Sequence, residues 1–169
     1  MGKRLDLTTL SVRELLQLEA GIISEFRERN LVRTNNKPLG DIVEQIVFTA
    51  RGGILEANSM KSHDITEPSG RRIQVKAMGP RAARQSGPFS PFRSFDFDSA
   101  IFLVFEAPTF ELAFARELET QEVELLTRYR AHTNSRIATR NQIKNAGVDV
   151  TAEMRAAYVA LDGAPFTKS

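Results

Sequence analysis

The stretch Ser62-His63-Asp64-Ile65-Thr66-Glu67-Pro68-Ser69-Gly70-Arg71-Arg72-Ile73-Gln74-Val75-Lys76 decides how the chain is read. Glu67-Pro68-Ser69-Gly70 is a turn by composition, and the segments on either side of it suit short strands. The pattern predicts one strand over 63–66 and another over 71–77. In the second, Ile73 and Val75 face one side while Arg72, Gln74 and Lys76 face the other. Neighbouring strands of such a hairpin lie roughly 4.8 Å apart, which lets Asp64 approach Gln74 across the ladder. A carboxylate, an amide oxygen and an ammonium group then converge on a small volume. Hard cations such as Mg²⁺ take carboxylate, carbonyl and water oxygens, so Asp64, Gln74 and the Val75 carbonyl are candidate ligands. Plainer readings stand beside this one. Asp64 caps a strand or pairs with a basic neighbour, and Gln74 and Lys76 form the solvent face of a half-buried strand.

Working outward, Ser11 and Glu14 fit a capping box at the start of a helix. Leu15, Leu18, Ile22 and Phe26 recur at spacings of three and four, an amphipathic stripe expected to run to about Arg29. Pro38 suits the first turn of a second helix, which carries Ile42, Ile46 and Val47 inward and ends near Gly52-Gly53. A short strand is expected over 53–57. The segment 78–98 is rich in Gly, Pro, Ser and Arg and reads as a long loop. Within it Phe95 and Phe97 are assigned to the core, while Phe89 and Phe92 are either core or platforms for stacking bases. The apolar run 100–106 suits a central strand covered on both faces, and 110–116 pairs with it through Ala107-Pro108-Thr109. A helix follows from Thr120, then a basic segment over 131–144 and a last helix over 151–161. The whole chain, 1–169, is expected to be a single α/β domain, its mixed sheet of about five strands flanked by helices.

With 41% hydrophobic and 26% charged residues, wholesale disorder is not expected. The absence of cysteine excludes disulfides, thiolate zinc sites and cysteine nucleophiles. His63 and His132 are the only histidines, which rules out a multi-histidine metal site. His132 is either a surface residue or part of a nucleic-acid contact. No apolar run approaches the ~20 residues of a membrane span. Nothing resembling a signal peptide follows Met1, so a soluble, cytoplasmic protein without membrane contact is expected.

Net charge is only +2, but its distribution is uneven. From 71 to 93 every charged residue is basic: Arg71, Arg72, Lys76, Arg81, Arg84 and Arg93. A second acid-free stretch, 125–147, carries Arg128, Arg130, Arg136, Arg140 and Lys144, and six glutamates between 106 and 124 separate the two. Segregation of this kind is either solvated surface charge or a basic face that attracts phosphate backbones. Arg71, Arg72, Arg81, Arg84, Arg93, His132 and Arg140 are the candidate nucleic-acid contacts.

The Asp64…Gln74-Val75-Lys76 arrangement resembles the core of PD-(D/E)XK nucleases, in the Gln-x-Lys version of Mrr-like restriction enzymes. The order of elements from Pro38 to Phe105 resembles that core as well, with 11–29 as a leading helix. Asn36-Lys37-Pro38-Leu39-Gly40-Asp41 is similar to a segment in a bacterial family of uncharacterised restriction-endonuclease-like proteins. The resemblance implies a restriction-endonuclease-like fold and Mg²⁺-dependent (or Mn²⁺-dependent) cleavage of phosphodiester bonds. It also implies that Glu44, on the preceding helix, is a further catalytic carboxylate and metal ligand. Asp64, Gln74 and Lys76 complete the catalytic set, Lys76 orienting the water and stabilising phosphoryl charge. Double-stranded DNA as partner, a DNA endonuclease of restriction or defence, and a homodimer cutting both strands follow from the same resemblance. The chain departs from the pattern in having His63 before Asp64 and the neutral Gln74 where an acid is commoner. The departure at Gln74 leaves a second reading, a catalytically silent nucleic-acid-binding or partner-binding module on the same fold.

Overall fold

The computed structural model describes residues 5–33, 37–60, 62–79, 87–106 and 109–163. Helix α1 (Val12–Glu28) opens on the expected capping box, in which Ser11 and Glu14 each satisfy the other's backbone amide. Its apolar stripe is only partly covered, with Leu18 and Phe26 half-buried. Leu15 and Ile22 are 38% and 46% exposed, and no described side chain of α1 is fully buried. Helix α2 (Pro38–Arg51) begins with proline at its first position and buries Val43, Ile46 and Val47. Val43 takes the fully buried place expected of Ile42, which is half-buried.

Strands β1 (Ile54–Leu55), β2 (Ile65–Thr66), β3 (Arg72–Met78), β4 (Ser99–Phe105), β5 (Leu112–Glu119) and β8 (Val148–Asp149) form one sheet in the order β1-β2-β3-β4-β5-β8. Only β3 and β4 run parallel; every other neighbour is antiparallel. The protein is thus α/β with a mixed sheet, which has six strands where about five were expected. The additional strand, β8, is a two-residue edge too short to leave a periodic signature. Every residue of β4 is buried, as its unbroken apolar run requires.

Two apolar layers sandwich the sheet. On one face Ile65, Ile73, Val75, Ile101 and Leu103 pack against α2 and helix α5 (Thr151–Gly163). Arg51 at the end of α2 ties this layer together by reaching Glu67, Glu117 and Glu153 at 3.0, 2.6 and 2.7 Å. On the other face Phe89, Phe92 and Phe97 close over Ala100, Phe102 and Val104, together with helices α3 (Thr120–Leu126) and α4 (Arg140–Ile143). Phe89 and Phe92 are each 2% exposed, so both are core residues rather than stacking platforms. Each such fully buried ring or branched aliphatic contributes ~2 kcal/mol relative to exposure.

The basic segment contains an element that periodicity did not reveal. Strands β6 (Arg128–Arg130) and β7 (Ser135–Ile137) form a separate antiparallel ribbon joined through a single 3₁₀ turn, Ala131–Thr133. Isolated bridges fasten the segment at β7 to the loop before β4, pairing Phe92 with Arg136 and Pro88 with Thr139.

Candidate active site

The chain reverses at Glu67 to Gly70 and sets β2 against β3 in the expected register, with Ile65 opposite Ile73. Asp64 lies just before β2 and continues the ladder, its N–H donating to the Ile73 carbonyl at 2.9 Å. Strand pairing ends there. Backbone groups of alternate residues point to the same edge of a strand, so the Val75 N–H and C=O share the edge of Ile73. Asp64 fills that edge. Its Oδ2 accepts the Val75 N–H at 2.7 Å and the Gln74 side-chain amide at 2.6 Å. This contact was legible from sequence, although the amide presents its nitrogen rather than its oxygen to Asp64.

Glu44 comes from α2 and is largely buried. Its carboxylate accepts a 2.5 Å bond from Arg33, whose other terminal nitrogen donates to the Glu56 carbonyl. Glu56 in turn donates its N–H to the Asp64 carbonyl at 2.8 Å. Arg33 therefore braces the helix carrying Glu44 against the segment carrying Asp64. Sequence reasoning missed Arg33, because a bridge between residues 11 apart across a helix start has no local signature. His63 is 8% exposed and bonds Ser62 and Thr66 at 2.8 and 3.0 Å. Thr66 donates to Glu56 at 2.5 Å, so His63 belongs to the support beneath the site.

Glu44, Asp64, Gln74, Val75 and Lys76 line one cleft of about 570 Å³, whose wall also includes the start of α2, the end of β3, Ser90 and Phe110. Lys76 is 8% exposed, and its ammonium donates to Ser90 Oγ and the Pro91 carbonyl at 3.2 Å each. It also sits 4.7 Å from the centre of the Phe92 ring. Lys76 and Asp64 influence each other electrostatically, but the lysine nitrogen is directed at the Ser90 loop rather than at the carboxylate.

Burial governs the titration of all three groups. It pushes the Glu44 carboxyl up to about 7, helped by the nearby Asp64 charge and opposed by Arg33. Burial also raises Asp64, against the Val75 hydrogen bond and the Lys76 charge. Lys76 is lowered, first by burial and then by Arg93, with Asp64 opposing. Folded Glu44 thus holds a proton that the unfolded chain has released above its ordinary value of 4.5. Stability should therefore fall as pH rises through that window, by up to about 3 kcal/mol once the pH is well above 7. Thermal unfolding of metal-free protein should give a higher midpoint near about pH 5.5 than near about pH 8, and Glu44→Gln should flatten the difference. Equal midpoints in the wild type would contradict this account of Glu44.

Among the described residues no group of three or more His, Cys, Asp or Glu side chains is arranged to hold a metal ion. The oxygen set in the cleft nevertheless suits Mg²⁺, which keeps several waters and needs only one or two carboxylates. Asp64 Oδ2 and Glu44 Oε2 accept the described hydrogen bonds, which leaves the second oxygen of each carboxylate. The Val75 carbonyl adds a third oxygen at the unpaired edge.

The candidate phosphate contacts fare differently. Arg71 is bonded to Glu119 and lies 3.7 Å from Glu117, and Arg72 is paired with Asp96 and Asp98 at 2.5 and 3.3 Å. Both therefore hold the start of β3 in ion pairs, at the opposite end of the strand from the cleft. Arg93 is exposed near Lys76, His132 is exposed in the 3₁₀ turn, and Arg140 stacks 5.8 Å from the Phe114 ring centre. Arg81 and Arg84 lie outside the described residues.

The fold and cleft define an α/β protein with a carboxylate–amide–lysine site at the edge of a mixed sheet. Neither known protein-family models nor curated proteins give a match to the chain.

Proposed function

We propose that the chain is a PD-(D/E)XK-type, metal-dependent nuclease that hydrolyses phosphodiester bonds in DNA. The observation that carries this reading is Asp64 Oδ2, clamped by the Gln74 amide and the Val75 N–H in the cleft that Glu44 and Lys76 also line. Asp64, Glu44 and the Val75 carbonyl are the groups suited to hold Mg²⁺ or Mn²⁺, with Gln74 fixing the Asp64 carboxylate. When bound, the ion supplies Lewis-acid polarisation of a phosphoryl oxygen and lowers the pKa of a water. Lys76 supplies a desolvated positive charge for the phosphoryl oxygens, once its ammonium leaves Ser90 and Pro91 for the cleft. Arg33 holds Glu44 in place while the cleft is engaged. A restriction or defence endonuclease acting as a two-fold dimer is the biological form this reading favours.

A catalytically silent binding module is the second reading. The specific observation in its favour is Lys76, whose nitrogen is engaged by Ser90 and Pro91 rather than directed at Asp64. Purified protein incubated with plasmid, linear and single-stranded DNA, in Mg²⁺, in Mn²⁺ and with chelator, separates the two. Nicking or linearisation that requires the metal supports the nuclease. Intact substrates under every condition support the silent module.

A further inference from the structure

The two basic stretches of the sequence meet different fates in the fold. In the first, Arg71 and Arg72 are consumed by Glu117, Glu119, Asp96 and Asp98. In the second, no acid occurs from 125 to 147, and the chain forms the β6–β7 ribbon. Arg128, Tyr129, Arg130 and His132 are all exposed on it. The guanidinium of Arg136 is held by the Glu124 and Thr127 carbonyls at 3.1 and 3.2 Å, so its charge is fixed in position, and among the described residues no carboxylate pairs with it. Among the described residues Arg128 and Arg130 form no ion pair either. Cations without carboxylate partners, gathered on a short ribbon whose β6 strand is exposed along its length, make a site for polyanions.

The shape selects among polyanions. A two-stranded ribbon fits the wide major groove of B-form DNA, whereas the deep, narrow major groove of A-form RNA excludes side chains. Single strands are gripped by exposed aromatic platforms. Phe89 and Phe92 are buried, and of the two exposed rings on the ribbon Tyr129 has its hydroxyl tied to Asn134 at 3.0 Å while His132 sits in the 3₁₀ turn.

The ribbon is also wired to the cleft. The Phe92 N–H donates to the Arg136 carbonyl at 2.8 Å, the Arg136 N–H returns a 3.1 Å bond to Phe92, and the Phe89 N–H donates to Ala138 at 2.9 Å. Between those two phenylalanines lie Ser90 and Pro91, the residues that hold the Lys76 ammonium. We propose that the β6–β7 ribbon enters the major groove of duplex DNA, with Arg128 and Arg130 on backbone phosphates. In this arrangement the bridges to Phe89 and Phe92 set the ribbon's distance from Lys76. The ligand class rests on the nuclease reading; the placement rests on the ribbon itself.

The test is fluorescence anisotropy of the full chain, in chelator, on a short labelled DNA duplex, the matching RNA duplex and one single strand. The wild type should prefer duplex DNA. Arg128→Gln with Arg130→Gln should weaken binding on the order of tenfold and flatten the log–log salt slope by about two, one phosphate contact per arginine. The double lysine variant should retain the slope, and Arg27→Gln, on exposed α1, should change neither quantity. Unaltered duplex affinity in the glutamine variant, equal loss in the Arg27 control, or tighter binding of RNA or single strand would each overturn the ribbon proposal. Metal-dependent cleavage is scored separately on plasmid. Ribbon-dependent binding without cleavage defeats the nuclease reading alone, and cleavage with ribbon-independent binding defeats this inference alone.

Discussion

Asp64→Ala is expected to remove metal-dependent cleavage completely, while Lys76→Ala removes it with metal affinity nearly unchanged. Asp64 is the carboxylate that meets Gln74 and Val75 at the β2–β3 edge, with Glu44 approaching from α2. Without Asp64, Glu44 is the remaining carboxylate among the groups suited to hold the ion. Lys76 has a different task. On the nuclease reading its ammonium acts on the phosphoryl oxygens, and loss of a single donor of that kind costs roughly 10²–10³ in rate. Removing a cation from the cleft leaves the metal ligands untouched, so Mn²⁺ titration by calorimetry should distinguish the two variants. Duplex binding should survive in both, and it should tighten in Asp64→Ala because a negative charge facing the phosphates is gone. Cleavage that persists in Asp64→Ala would sink the nuclease reading, whatever Lys76→Ala does.

The parts of this site that sequence made legible are those specified by short-range pattern. The Glu67–Gly70 turn and the residues flanking it fix which residue of β2 meets which of β3, and the Asp64–Gln74 contact follows from that register. Pro38 and the glycine pair bracket α2, and an unbroken apolar run of that length suits a covered strand such as β4. What escaped was set by partners distant in sequence. Arg71 and Arg72 sit in an acid-free stretch, yet β4 pairs antiparallel with β5 so that Ser99 faces Glu119 and Ile101 faces Glu117. That register brings an acidic strand end beside Arg71, while Asp96 and Asp98 fold back onto Arg72. Charges segregated along the chain are thereby intermixed in space. The β6–β7 ribbon escaped for another reason. Its three-residue strands are too short to show alternation, and isolated backbone bridges to Pro88 and Phe92 fasten the segment. Lys76 was placed on the correct face, but its burial comes with that same loop, where Ser90, Pro91 and the Phe92 ring meet its ammonium.

Gln74→Glu should destabilise the metal-free protein and make it more responsive to Mg²⁺. In the wild type the Gln74 amide donates to Asp64 Oδ2 at 2.6 Å, which neutralises part of a buried carboxylate's need for donors. The substitution replaces that donor with a second acid in contact with the first. Two carboxylates at such a distance cannot both ionise cheaply, so one of the pair holds its proton to higher pH. Losing the hydrogen bond while keeping the buried acceptor costs about 1–3 kcal/mol, and the like charge adds to this near neutral pH. Urea unfolding in chelator should register the loss. A divalent ion converts the same change into a gain, because three carboxylates then face one cation and binding stabilises the fold by mass action. The live site therefore predicts a lower midpoint than wild type in chelator, a larger rise on adding Mg²⁺, and cleavage that is kept or increased. A cleft that does not hold the ion predicts the same loss in chelator with no added response to Mg²⁺. The size of the Mg²⁺-induced shift, compared between wild type and Gln74→Glu, thus tests whether the cleft holds the ion, and plasmid cleavage by the same two proteins decides between nuclease and silent module.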